Sequence, residues 1–250
     1  MNAEGAPETP KRGPWGPFAT MAFGVVVAVV FVVAQIAVAI PYLIVQQVTG
    51  SEQSLEAAAS GLDSDGLFTS IAEVIAGSIA IALILFLVWI RRGPGFRDYL
   101  ALRLPTRFKT LQWLLYGILL AGLLDGLSYL FGYAIVPPWM QTIYRSAVFL
   151  PLLLVALLFV APVLEELFFR AFLFQGLRHT RLGDPGAILL ASLVWASIHL
   201  QYEWFYIGQI FALGLLLGVA RSRTGSIVPP MLMHSLFNGI ATVQVMLETP

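Results

Sequence analysis

Glu165 and Glu166, with Arg170 four residues on, sit inside the otherwise apolar run Phe149–Phe174. An ionisable side chain near the centre of a membrane span costs at least ~2.5–3.5 kcal/mol. Three in so short a stretch must be sheltered by the protein, and such a cluster marks a functional site by default. Two further polar points lie on later apolar segments: His199, and His234 with Asn238. Glu166 and Arg170 share a face by i,i+4 spacing and form an ion pair. Glu165 lies about 100° around the helix and need not be tied up by that arginine. A partly desolvated carboxylate beside a histidine suits a general base. His234 and Asn238 also share a face, and neutral His and Asn can donate hydrogen bonds to a developing oxyanion. Glu165 and His199 holding a water, with His234 and Asn238 opposite, would make a hydrolytic site. Glu165, His199 and His234 are also a ligand set for a divalent metal such as zinc, and the residues leave both chemistries open.

The elements that must position these groups are membrane helices. The chain has 250 residues, 58% hydrophobic and only 11% charged, against roughly 25% charged in a soluble domain. A formal net charge of zero argues against nucleic acid as a partner, and the absence of cysteine excludes thiolate chemistry and disulfides. Spans need about 20 mostly apolar residues. Segments 18–46, 67–90, 110–133, 146–177, 186–204, 205–221 and 226–247 qualify, the fifth and sixth running together through Gln201–Trp204. No period-two alternation suggests a β-barrel. The expected fold is an all-α polytopic membrane bundle of about seven transmembrane helices. Residues 1–17 read as a disordered tail. Ala37-Val-Ala39 resembles a signal-peptide cleavage site, but the run Phe18–Ile40 exceeds the usual 7–15 residues of such a peptide's apolar core, so an uncleaved first span is expected.

Positive residues orient the bundle, because loops rich in Lys and Arg stay cytoplasmic. Lys11, Arg12, Arg91, Arg92, Arg97, Arg103, Arg107, Lys109, Arg178, Arg181, Arg221 and Arg223 all fall on one side if the N-terminus is cytoplasmic; only Arg145 and Arg170 stand apart. The loop after the first span carries Glu52, Glu56, Asp63 and Asp65. Trp15, Trp89, Trp113, Trp139 and Trp204 lie near span ends, as an aromatic belt would. Phe96–Lys109 alternates apolar and basic residues and is expected along the cytoplasmic surface; Ile135–Tyr144 reads as a short outer connection. At 1.5 Å per residue, Glu165, His199 and His234 lie roughly 20, 22 and 17 Å from Arg178, Asp184 and Arg223 respectively. The three can share one layer near mid-membrane, in a site sheltered from lipid and wetted from the cytoplasm.

Glu165-Glu166-x-x-x-Arg170, then Trp195-x-x-x-His199, then His234-x-x-x-Asn238 resembles the three motifs of the CPBP intramembrane endopeptidases, the CAAX-protease and bacteriocin-processing (Abi-domain) family. The likeness covers about 146–247. It implies a variable region at 18–145 with three spans and a catalytic core at 146–250 with four. It also implies that Glu165 activates water, His199 helps to position it, Glu166 and Arg170 hold the constellation, and His234 and Asn238 stabilise the oxyanion. The family is described both as metal-dependent and as glutamate-based; the glutamate reading, with no required cofactor, is preferred here. The implied substrate is a membrane-associated peptide or protein, and the implied location a bacterial inner membrane, with the lipid bilayer as partner. Trp195 stands where the motif usually has phenylalanine; it is expected to serve as a packing partner without chemical consequence. The chain ends soon after the last motif, which is expected to alter how a substrate gets in.

Rival readings of the same residues are a non-catalytic scaffold or immunity protein on the same fold and an ion-coupled transporter, which would also use intramembrane Glu, Asp, His and Arg. Haem held by His199 and His234 is more remote. His179, beside Arg178 and Arg181, reads as a surface residue. Asp125 reads as structural, bonded to Ser128 or Tyr129 or lining the cavity. Glu73 is placed near the outer end of the second span, within reach of water. Gly208, Gly214 and Gly218 read as close helix contacts, and Gly214-x-x-x-Gly218 is a weak pattern for a homodimer.

Overall fold

The structure is a computed structural model that describes residues 13–50, 54–91 and 95–248. Most of the 1–17 tail, with Lys11 and Arg12, lies outside the described residues, as do Glu52 and Arg92. Every regular element among the described residues is helical, which is how a chain in lipid satisfies its own backbone.

Helix α1 (Pro17–Val48) starts with proline in its first turn, where a missing N–H costs nothing. It buries only the stripe Thr20, Gly24, Val27 and Ala34. The opposite side, including Val25, Val29, Val33 and Ile36, is exposed and apolar, a face that suits lipid and would aggregate in water. After α2 (Leu55–Ser60), helix α3 (Gly66–Ile90) is capped by Asp65, whose Oδ1 accepts from the backbone N–H groups of Leu67 and Phe68 at 2.9 and 3.0 Å. Small buried residues, among them Ser70, Ala76, Gly77 and Ala80, let neighbours approach α3 closely.

The segment Phe96–Lys109, expected along the cytoplasmic surface, keeps Phe96, Leu104 and Phe108 exposed but turns three residues into the bundle. Its one regular turn, α4 (Phe96–Tyr99), is followed by Leu100 and Ala101, and Tyr99, Leu100 and Ala101 are all buried. Ala101 O accepts from the Ile227 N–H and Arg103 O from Ser226 Oγ, and these bonds draw the chain inward. Helix α5 (Arg107–Phe131) ends at Gly132 in the left-handed conformation, φ 76, a position glycine takes without Cβ strain. The outer connection is itself partly helical, as α6 (Pro138–Ser146). Then come α7 (Leu150–Leu177), α8 (Gly183–Ser197), α9 (Trp204–Thr224) and α10 (Val228–Glu248).

Helices α1, α3, α5, α7, α8, α9 and α10 run alternately between two ends. The basic end is tied by Trp15 Nε1–H to Leu87 O, by Ser226 to Arg103, and by Asp184 to Arg178 and Ser222. The acidic end is tied by Trp139 Nε1–H to Asp63 O, by Ser146 Oγ to the Gly66 N–H, and by Tyr206 OH to Ala134 O. Among the described residues, five helices (α1, α3, α5, α7 and α9) are long and apolar enough to cross a membrane. The chain is therefore a multi-pass membrane protein. Helix α8, with 15 residues, and α10, with its paired prolines and polar positions, fall short of that measure and lie alongside the others.

Candidate active site

Pro162 shapes the backbone that carries the glutamates. It has no N–H and its ring crowds the carbonyl four residues back. The turn before it, Ala156–Val160, widens to π-helix, with the Ala161 N–H on Ala156 O. In that register Leu157 O would pair with residue 162, which has no hydrogen to give. Asn238 on α10 fills the gap, its Nδ2 donating to Leu157 O at 2.9 Å. A second π-helical stretch, Glu166–Leu173, begins at the glutamate pair; such wide turns are frequent at functional sites.

Glu166 is wholly buried, and its Oε1 accepts from Arg170 Nη1 and from His234 Nδ1, each at 3.0 Å. The expected ion pair is present, and the histidine joins it. Arg170, equally buried, also donates through Nη2 to Gly214 O at 3.3 Å, and its guanidinium lies 4.5 Å from the Trp195 ring centre. One carboxylate, one guanidinium and one imidazole thus lock α7 to α8, α9 and α10. Arg221, read from sequence as a loop charge, is buried beneath this network; its Nε donates to Arg170 O at 2.9 Å.

Glu165 is turned away from Arg170, as its helical position predicts, and its side chain is 22% exposed. Its Oε2 accepts from Trp195 Nε1–H. Trp195 is thus more than the packing partner expected: a phenylalanine has no N–H to place there. His234 Nε2 stands 4.0 Å from Glu165 Oε2, a gap across which a water can bridge.

The histidine tautomers follow from their partners. A carboxylate paired with Arg170 and a backbone carbonyl only accept. His234 therefore carries hydrogen on Nδ1, toward Glu166, and His199 carries hydrogen on Nδ1, toward Trp195 O at 2.7 Å. A neutral His234 then presents a lone pair at Nε2, not a donor. The expectation that neutral His234 donates to an oxyanion is corrected accordingly: only the imidazolium can donate there. His199 lies beyond the end of α8, although the span was expected to run to residue 204. Its imidazole takes the Trp195 carbonyl that a continuing helix would offer to the backbone N–H of residue 199, and that N–H turns to Ala196 O.

Glu165, His199, His234 and Asn238 line a cavity of about 230 Å³. Sequence reasoning missed one of its walls. Glu73 on α3 lines the same cavity rather than simply reaching bulk water. It is the sole ionisable residue in 67–90, which is the signal that singled out the 165–170 cluster. Asp125 also lines the cavity, and its Oδ2 accepts from Gln244 Nε2 at 2.7 Å. Its partner is on α10, not Ser128 or Tyr129 on its own helix. Tyr202 completes the wall; burial first, and then the charge of Glu165, pushes its phenol upward, keeping it a neutral O–H.

Glu165, His199 and His234 do not form a ready metal set. Ligand atoms on one tetrahedral zinc stand roughly 3.3 Å apart, while the His234–Glu165 approach is 4.0 Å; Glu166 on His234 Nδ1 leaves Nε2 facing Glu165, as a ligating histidine would be held. No three His, Asp or Glu side chains among the described residues group around a common point for an ion.

Comparison with known proteins bears on the same region. Residues 146–240 match the family described as Type II CAAX prenyl endopeptidase Rce1-like, which supports the CPBP resemblance. The uncharacterized protein YpbD of Bacillus subtilis (strain 168) is 30% identical over 78 residues, 30% of this chain. That match spans 39% of the length of YpbD. No solved structure matches the chain.

Proposed function

From the match of residues 146–240 to the Rce1-like CAAX-protease family, we propose that the protein is an intramembrane endopeptidase that hydrolyses a peptide bond in a membrane-associated polypeptide with water activated by Glu165. The observation that carries this reading is the unequal environment of the two adjacent glutamates. Glu166 is buried with its Oε1 shared by Arg170 and His234, whereas Glu165 faces a cavity. Adjacent carboxylates in different environments are suited to different tasks. The region 146–250 is the catalytic core, and the spans of 18–145 wall its cavity through Glu73 and Asp125.

In this mechanism Glu165 accepts a proton from a water placed between its Oε2 and the histidine Nε2 atoms. The water oxygen bonds to the scissile carbonyl carbon. The resulting oxyanion takes hydrogen bonds from the remaining Asn238 N–H and from His234 when that ring is doubly protonated. The C–N bond then breaks, and Glu165 returns its proton to the leaving amine. Trp195 holds the carboxylate in one orientation throughout. The implied setting is a bacterial inner membrane with the basic end cytoplasmic.

The reading is tested with purified protein in proteoliposomes and a peptide mixture scored by mass spectrometry. Wild type should generate new peptide ends, and Glu165→Gln should lose at least about 100-fold in rate, within the range ascribed to a positioned acid–base group. Equal cleavage by both proteins would remove the assigned role.

A further inference from the structure

The candidate site opens at the end of the bundle opposite the basic loops. Each helix that lines the cavity in its upper part contributes positions near its acidic end. From α3 come Thr69 and Glu73, from α9 Tyr206 to Leu213, and the mouth is built by Trp139 of α6 with Gln201 and Tyr202. No lining residue comes from the connections that carry Arg97, Arg103, Arg178 or Arg181. Toward the basic end the floor is closed by Glu166, Arg170 and Met233, all buried, with Arg221 beneath. A second hollow beside α1, reaching Gln35 and Asp63, meets the first at Glu73, Glu165 and His199 and is also walled by Trp139 and Gln201. Neither hollow is lined by a Lys or an Arg, while Asp63, Glu73, Asp125 and Glu165 line one or the other.

Basic loops remain cytoplasmic, so the mouth faces the other compartment. We infer that the site takes its substrate from the non-cytoplasmic side of the membrane: an extended, neutral-to-basic polypeptide segment of an exported or membrane-anchored protein. This rests on the peptidase reading for what happens to the segment, but not for how it arrives. Two hollows joined at Glu165 give such a segment a path on either side of the attacked bond. Asp63 and Glu165 on a lining without Lys or Arg favour a basic residue near that bond and disfavour acidic segments. A tail presented from the cytoplasm would meet the closed floor instead. The expectation of a site wetted from the cytoplasm is replaced by access from the opposite face.

The natural chain has no cysteine, so single-cysteine variants report access without background. Gln201→Cys marks the mouth, Ala241→Cys the cavity wall, and Arg103→Cys the basic end. Each is treated with a membrane-impermeant maleimide in spheroplasts and in inverted inner-membrane vesicles. The expected result is labelling of Gln201→Cys and Ala241→Cys in spheroplasts, at least tenfold above the cysteine-free protein, with Arg103→Cys labelled only in inverted vesicles. Labelling of Gln201→Cys or Ala241→Cys from inverted vesicles alone would overturn the inference. So would an Ala241→Cys that is unreactive from the mouth side while Gln201→Cys reacts, and so would Arg103→Cys reacting in spheroplasts. Labelling needs no turnover. The expected pattern together with unchanged cleavage by Glu165→Gln would sink the peptidase reading and leave the access route standing.

Discussion

Two neighbouring carboxylates are given separate roles by what surrounds each of them. Glu166 is buried with a guanidinium and an imidazole on the same oxygen. Removing one partner of such a buried pair leaves an uncompensated charge, at about 3–5 kcal/mol. Arg170→Ala should therefore be strongly destabilised, whereas Glu166→Gln/Arg170→Met, which removes both charges, should recover much of the thermal stability. Recovery should not extend to cleavage, since the amide that replaces the Glu166 carboxylate can turn either its oxygen or its NH2 to His234 Nδ1 and no longer fixes the tautomer. A double variant as unstable as Arg170→Ala would show that the pair is not the source of the cost. Trp195 gives a finer test. Phe in its place keeps a ring against Arg170 and His234 but deletes the donor to Glu165. A hydrogen bond to a charged group contributes about 1.5–3 kcal/mol; if most of that acts on orientation, Trp195→Phe should lower kcat/KM by about tenfold with little change in unfolding temperature. Unaltered kinetics would reduce Trp195 to packing.

At the scale of elements, the site depends on α8 lying close against α9. A Cβ at Gly218 would come within 2.7 Å of Ile188, and one at Gly214 within 3.0 Å of Ser192 and Trp195, whereas one at Gly208 would meet nothing within 4 Å. The Gly214-x-x-x-Gly218 spacing thus serves packing inside the chain, and Gly208 is not the contact the sequence suggested. Overfilling a tight contact costs roughly 1–3 kcal/mol. Gly218→Leu should lose stability by that much in a detergent unfolding assay, and activity with it, while Gly208→Leu should be nearly silent; equal effects would contradict the packing. The helices were largely readable from sequence because apolar length and the absence of alternation leave few choices in lipid. So was the Glu166–Arg170 pair, because i,i+4 geometry is local. The inward course of Tyr99–Ala101 was not, because long-range bonds from the Ser226 hydroxyl and the Ile227 N–H decide it. Nor was the early end of α8, which depends on a histidine ring competing for a backbone carbonyl. Pro162 was in plain view, but its consequence, an unpaired Leu157 carbonyl taken by Asn238, needs the position of α10.

Taken as a whole, the molecule is a membrane bundle with a closed basic end and a cavity near its acidic end. Seven segments were legible as apolar runs, but which residues of the first three would reach the site was not. Glu73 and Asp125 face it only because α3 and α5 pack around α7 and α10. With Glu165 as base, chelators should change the cleavage rate by less than about twofold, a difference well under 1.4 kcal/mol. Complete loss on chelation, restored by one equivalent of a divalent ion, would overturn the glutamate mechanism. The central claim, that this chain cuts polypeptides with Glu165, is met most directly by comparing membrane peptidomes of cells that carry wild type or Glu165→Ala at matched levels of folded protein. The account predicts a set of peptide ends present with wild type and missing with the variant, and those ends would name the substrate and the bond. Identical peptidomes would contradict it.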